Sequence, residues 1–91
     1  MTDFYISAIR MDKTSQHIEF VKVFEPGKSM SVSSRQFIGE LINTGKIEFR
    51  TAIHMNGKWK AGAVVRVTSA GYITTDPNGT TLDNLGNLPT F

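Results

Sequence analysis

Asn56-Gly57 sits midway through the most regular alternation in the chain, Lys46 to Thr68. A hairpin folded at that dipeptide fixes which side chains can face a core. Before the turn, Ile47, Phe49, Thr51, Ile53 and Met55 form one row, and Lys46, Glu48, Arg50, Ala52 and His54 form the other. After it, Trp59, Ala61, Ala63, Val65 and Val67 alternate with Lys58, Lys60, Gly62, Val64 and Arg66. A period of two marks half-buried antiparallel strands. A two-residue loop would pair Met55 with Lys58 and Phe49 with Val64, setting the apolar row of one strand beside the charged row of the other. Slipping by one residue exchanges the faces. The alternation therefore predicts a three-residue loop, Met55-Asn56-Gly57, with Ile53 opposite Trp59, Thr51 opposite Ala61, Phe49 opposite Ala63 and Ile47 opposite Val65. Gly57 then takes a left-handed position, where a side chain would be strained.

In that register Lys46, Arg50, His54, Lys58, Lys60 and Arg66 share the outer face with one acid, Glu48. Residues 1–45 balance in charge, and residues 69–91 carry only Asp76 and Asp83, so the net charge of +2 hides a concentration of cations on the hairpin.

Ninety-one residues make a single domain over 1–91, in which 72–91 form a short strand and an irregular tail packed back on it. A 40% hydrophobic content is that of a globular chain and not of a disordered one. The absence of cysteine excludes disulfides, thiolate metal sites and a cysteine nucleophile. No apolar run approaches the ~18 residues of a membrane span, and Met1-Thr2-Asp3 lacks the basic start of a secretory signal. A cytoplasmic setting with no membrane contact is expected.

Phe4 to Met11 reads as a first strand, but Ile9 is out of phase with Ile6 and Ala8, so either a bulge intervenes or both faces are partly covered. His17 to Phe24 reads as a second strand with the same ambiguity, Ile18 and Phe20 on one face and Val21 and Val23 on the other. Pro26-Gly27 ends it in a turn. Ser33 with Gln36 three residues later forms a capping-box pattern, Phe37, Ile38, Leu41 and Ile42 give an apolar stripe, and Gly45 stops the helix. A helix of about three turns is too short to stand alone and must lie on the sheet. Tyr72 to Thr75 is a further short strand before an Asp76-Pro77-Asn78-Gly79 turn. The tail repeats Leu82, Leu85, Leu88 and Phe91 at intervals of three, too apolar for a frayed end.

Tyr72-Ile73-Thr74-Thr75, a turn, Asp83-Asn84-Leu85 and Leu88-Pro89 together resemble the tail of a family of short bacterial and phage proteins known only as a domain of unknown function. The resemblance extends to the strand Tyr5 to Arg10 and to the capped helix ending at Gly45, and so covers nearly the whole chain. The opening strand pair of that family is usually shorter than the loop and strand here. The resemblance implies a prokaryotic or prophage setting and carries no activity with it.

His17 and His54 lie on different strands without a local partner, so no metal-ligand spacing is present. Asp76-Pro77-Asn78-Gly79 lacks the acidic series and terminal Glu of a calcium loop and reads as a turn. Ser29, Ser31, Ser33 and Ser34 bunch before the helix, where capping accounts for them, and no base or paired carboxylate accompanies them. Gly57, Gly62 and Gly71 are dispersed and make no phosphate loop.

The fold expected is α+β, four or five mostly antiparallel strands with one helix on one face in the order ββαββ(β). Ile6, Ile18, Phe20, Phe37, Leu41, Ile47, Phe49, Ile53, Trp59, Val65 and Val67 are its expected core. The function expected is non-enzymatic binding without a cofactor, as an accessory or inhibitory module that meets a macromolecular partner. Strand edges and the tail are its natural contact surfaces. The alternative is nucleic-acid binding on the basic face of Lys46, Arg50, His54, Lys58, Lys60 and Arg66. A small-ligand site formed by Tyr72, Asp83 and Asn84 is a third reading. Trp59 and Phe49 fall on the row assigned to the core, which argues against a stacking platform.

Overall fold

In the computed structural model, which describes residues 3–14, 17–75 and 88–91, backbone pairing follows the alternation but resets its phase three times. The strands are β1 (Phe4–Met11), β2 (Ile18–Phe24), β3 (Ser31–Ser34), β4 (Phe49–Met55), β5 (Lys58–Val67) and β6 (Ile73–Thr75), with helix α1 (Arg35–Asn43) after β3. They form one sheet in the order β3-β2-β1-β4-β5-β6. β1 and β4 run parallel, and every other neighbouring pair is antiparallel.

The α+β class with a mostly antiparallel sheet is as expected, but the sheet has six strands and the order is βββαβββ. The added strand is Ser31–Ser34, which pairs with β2 from Val23↔Ser31 to Phe20↔Ser34. One valine among serines gives no alternation to read, and capping accounts for the serines without a strand. Gly27, at φ 83°, and a hydrogen bond from the Lys28 amide to the Glu25 carbonyl (2.9 Å) make the turn into it.

Each phase conflict in the sequence is a bulge, where one extra residue on one strand exchanges its faces. In β1, Ser7 is extra between Ile6↔Val23 and Ala8↔Lys22, so Ile6 and Ile9 both reach the core. In β2, Glu19 is extra between Phe20 and Ile18, which leaves Phe20 opposite Arg10 while Ile18 packs against the core. The third bulge overturns the predicted loop. Met55 pairs with Lys58 across a two-residue turn, and Asn56 (φ 53°) and Gly57 (φ 78°) are both left-handed, as the tight turn matching strand twist requires. The ladder then skips from Ala52↔Ala61 to Arg50↔Val64, so the extra residue in β5 does what a longer loop was expected to do. Beyond it Phe49 and Val65 lie on the core side, while Trp59, nearer the turn, sits opposite His54.

The helix is capped by Ser34, one residue later than expected, whose Oγ accepts from the Phe37 amide at 3.2 Å. Gly45 ends it at φ 74°, donating to the Ile42 carbonyl at 3.0 Å. The packed face is centred on Ile38, Gly39 and Ile42, which leaves Phe37 on the exposed side and out of the core. A Cβ on Gly39 would stand 3.2 Å from Val67 Cγ2, so the missing side chain lets α1 approach β5 closely. No helix among the described residues is long and apolar enough to cross a membrane.

The core between α1 and the sheet is Ile6, Ile9, Val21, Val23, Ile38, Phe49, Val65, Ile73 and Leu88. Of the residues expected there, Ile18, Leu41, Ile47 and Ile53 line it partly buried, Phe20 and Val67 are half-buried, and Phe37 and Trp59 are exposed. Leu88 arrives from the tail. β4 pairs with β1 only over Phe4 to Ile6, and residues 88–91 take the edge that β4 leaves: Ile9 donates to the Pro89 carbonyl (2.9 Å) and the Phe91 amide donates to the Ile9 carbonyl (3.1 Å). Leu82 and Leu85 lie outside the described residues.

Candidate functional site

Cross-strand partners share a face, so the ladder places Tyr5 and Phe24 together, and His54 with Trp59, on the side of the sheet away from α1. Their rings touch in a row. Tyr5 and Phe24 stack with centroids 5.6 Å apart, Phe24 and Trp59 meet at 4.9 Å, and Trp59 and His54 at 4.9 Å. Phe24 is buried beneath its neighbours, Tyr5 is half-buried, and Trp59 is 45% exposed. Among the described residues neither helix nor strand covers this face.

Beside the row lies a cleft of about 420 Å³. Tyr5, Phe24 and Ala52 form its base, Trp59 and Ala61 one wall, and the β2–β3 loop with Pro26, Lys28 and Met30 the other. The loop is held down where the Ser7 hydroxyl donates to Met30 Sδ at 3.6 Å. At the rim Lys28 Nζ stands 3.4 Å from Glu25 Oε2. Along the same face Arg10 and Lys22 lie within 4.8 and 5.0 Å of the Phe91 ring, and Arg10 Nε donates to the Phe91 carbonyl at 3.0 Å.

The basic residues expected on one face are divided. Arg50, opposite Tyr5, faces the open side, with Nη1 donating to the Gly62 carbonyl (3.1 Å) and Nε 3.5 Å from Glu48 Oε2. His54 is in the aromatic row, and Arg66 projects to the same side because Val65 and Val67 on either flank turn toward the helix. Lys58 and Lys60 pair with Met55 and Ile53 and so lie on the opposite side, at the outer end of the hairpin. Lys46 follows the helix and lines a separate groove of about 430 Å³ with Ile42, Glu48 and Arg66. A three-residue loop would set Lys58 and Lys60 beside Arg50 and His54, and the two-residue turn puts them on the other side.

Of the tail site, Tyr72 is described and Asp83 and Asn84 lie outside the described residues. The Tyr72 ring stacks on His17 with centroids 3.9 Å apart and lies 4.7 Å from the Arg35 guanidinium carbon, whose Nη1 donates to the Gly71 carbonyl at 2.8 Å. That ring is occupied by its own chain. Among the described residues no group of three His, Asp or Glu side chains is placed to hold a metal ion.

The alternation sets Trp59 in the core and so hides its place in the aromatic row. Its signals were present: Asn-Gly is the dipeptide of a two-residue turn, and Gly62 marks a bulge within a strand. Read together, they turn Trp59 outward. Neither a curated protein nor a solved structure matches the chain. Residues 5–89 match DUF3892, described as a protein of unknown function, and the chain belongs to that family.

Proposed function

We propose that the chain is a non-enzymatic binding module that holds a single-stranded nucleic acid on the open face of its sheet. The observation that carries this reading is the exposed Trp59 ring beside the apolar cleft, in contact with Phe24 and His54. Every base offers a π-face, and stacking one on an aromatic side chain contributes about 1–3 kcal/mol without sequence preference. Lys22 and Arg50 lie on the same face near the row and Lys28 at the rim of the cleft, and phosphates passing over them would release counterions.

Trp59 is the only tryptophan, so its fluorescence reports on this face alone. Titration with single-stranded DNA and RNA should quench it, with an affinity that falls as salt rises and a loss of binding in Trp59→Ala. Lys58→Glu with Lys60→Glu, on the other side of the hairpin, should weaken binding far less. Absence of quenching at low salt, or undiminished binding by Trp59→Ala as read by anisotropy, would defeat the reading.

An accessory or inhibitory module that meets a protein partner is the second reading. The same cleft, with Met30, Pro26 and Trp59 around it, has the shape and apolarity for a bulky side chain. A protein ligand would quench Trp59 with little dependence on salt.

A further inference from the structure

Ala52 faces Ala61 across the β4–β5 ladder, between the larger pairs His54–Trp59 and Arg50–Val64. Two methyl groups in that place leave a hollow in the sheet face, and the cleft of about 420 Å³ lies over it. Tyr5 and Phe24 complete its floor, the Trp59 ring is one wall, and Met30 with Pro26 is the other. The lining has little with which to recognise a base by hydrogen bonds. Such recognition uses carboxylates, amides or long cations. Of these, Lys28 alone lines the cleft among the described residues, and it is exposed at the rim, 3.4 Å from Glu25 Oε2. The nearby Ser7 hydroxyl already donates to Met30 Sδ. A polar edge pushed into this hollow loses its water without replacement. Every edge of a purine carries ring nitrogens or exocyclic polar groups. A pyrimidine has one edge, C5–C6, made of carbon alone, and in thymine a methyl group extends it.

We infer that the cleft takes the 5-methyl edge of a thymine, so that the open face favours thymine-containing single-stranded DNA over RNA. The inference rests on the single-stranded reading above and adds to it the base that is selected. The thymine ring lies against Trp59, which is 45% exposed, and its N3 and O2 stay in water. Its methyl enters the hollow between Phe24 and the alanine pair, and alanine and phenylalanine are residues that accept this methyl in base recognition. Uracil and cytosine stack as well but leave the hollow unfilled. The selection depends on no cation, since the phosphates of every strand are alike.

Anisotropy titrations with labelled oligodeoxythymidylate and oligodeoxyuridylate, equal in length and at one salt concentration, test it. The two strands differ only in the methyl group. The thymine strand should bind about fourfold tighter or more, which is what burying one methyl group contributes. Ala61→Leu, at an exposed position of β5, fills the hollow and removes neither a ring nor a cation. It should bring the two strands to equal affinity. Equal affinities in the unsubstituted protein overturn the inference and leave the stacking reading intact. A thymine preference that persists in Ala61→Leu also overturns it, because the methyl is then bound elsewhere. Binding of neither strand overturns both readings. Should Ala61→Leu fail to fold, Ala61→Val makes the same test with a residue suited to a strand.

Discussion

His54 stands directly opposite Trp59 across the β4–β5 ladder, their ring centroids 4.9 Å apart, because the chain reverses in two residues. Both residues of that turn are left-handed, and at Gly57 a Cβ would meet nothing within 4 Å. The cost of a side chain there is then backbone strain alone. Gly57→Ala should destabilise the protein by about 1–2 kcal/mol in urea unfolding.

Thr51 is fully buried at the bulge, where its Oγ1 accepts from the Ala63 amide at 3.0 Å. Thr51→Val keeps the shape and removes the acceptor, leaving a buried N–H unpaired. A loss of about 1–3 kcal/mol is expected, with Thr51→Ser, which keeps the hydroxyl, retaining the bond. Hydrogen exchange at the Ala63 amide distinguishes the two variants: it should accelerate in the first and not in the second.

The segment from Leu88 to Phe91 joins the core and the sheet. Leu88 is 4% exposed, and Leu88→Ala should cost about 2–5 kcal/mol. If the tail is an integral part of the sheet, the Ile9 amide, which donates to the Pro89 carbonyl, should lose protection together with the global unfolding unit. Protection of Ile9 unchanged by the substitution would contradict that role.

Gly39 opposes two effects. Alanine there gains about 1 kcal/mol of helix propensity, but its Cβ would crowd Val67 Cγ2 at 3.2 Å. In the parent protein Gly39→Ala should therefore fall short of that gain. In a Val67→Ala background the gain should appear in full. A double-mutant cycle measures the difference directly, and additive effects would show that the helix is not held off by this contact.

Trp59 separates binding from folding. Exposed beside the cleft, it should be replaceable by alanine at a small cost in stability and a large cost in nucleic-acid affinity. Parallel loss of both would mean that the ring's contacts with Phe24 and His54 support the sheet itself.

Local chemistry was legible wherever one residue type suffices. Asn56-Gly57 marks the hairpin, Gly45 the helix stop, and the serine run contains the cap, displaced by one position to Ser34. Phase was not legible. Ser7, Glu19 and the extra residue of β5 each exchange the faces of everything beyond them, and only the last has a signal, Gly62, while nothing at Ser7 or Glu19 announces a bulge as a proline announces a turn. That is why Trp59 was read as core and the six cations as one face. β3 escaped because a single valine has no period, and the apolar repeat of the tail showed that Leu88 was needed without showing where it docks.

The two partners of β1 divide it by time as well as by space. Its first half joins β4 once Phe49 to Thr51 have emerged, but Ile9 is bridged by Thr90, and Arg10 reaches Phe91 across 81 positions of sequence. Residues 89–91 must emerge before this first strand can be paired along its length. Contacts of such separation close slowly, so pairing along the second half of β1 belongs to the later steps of folding.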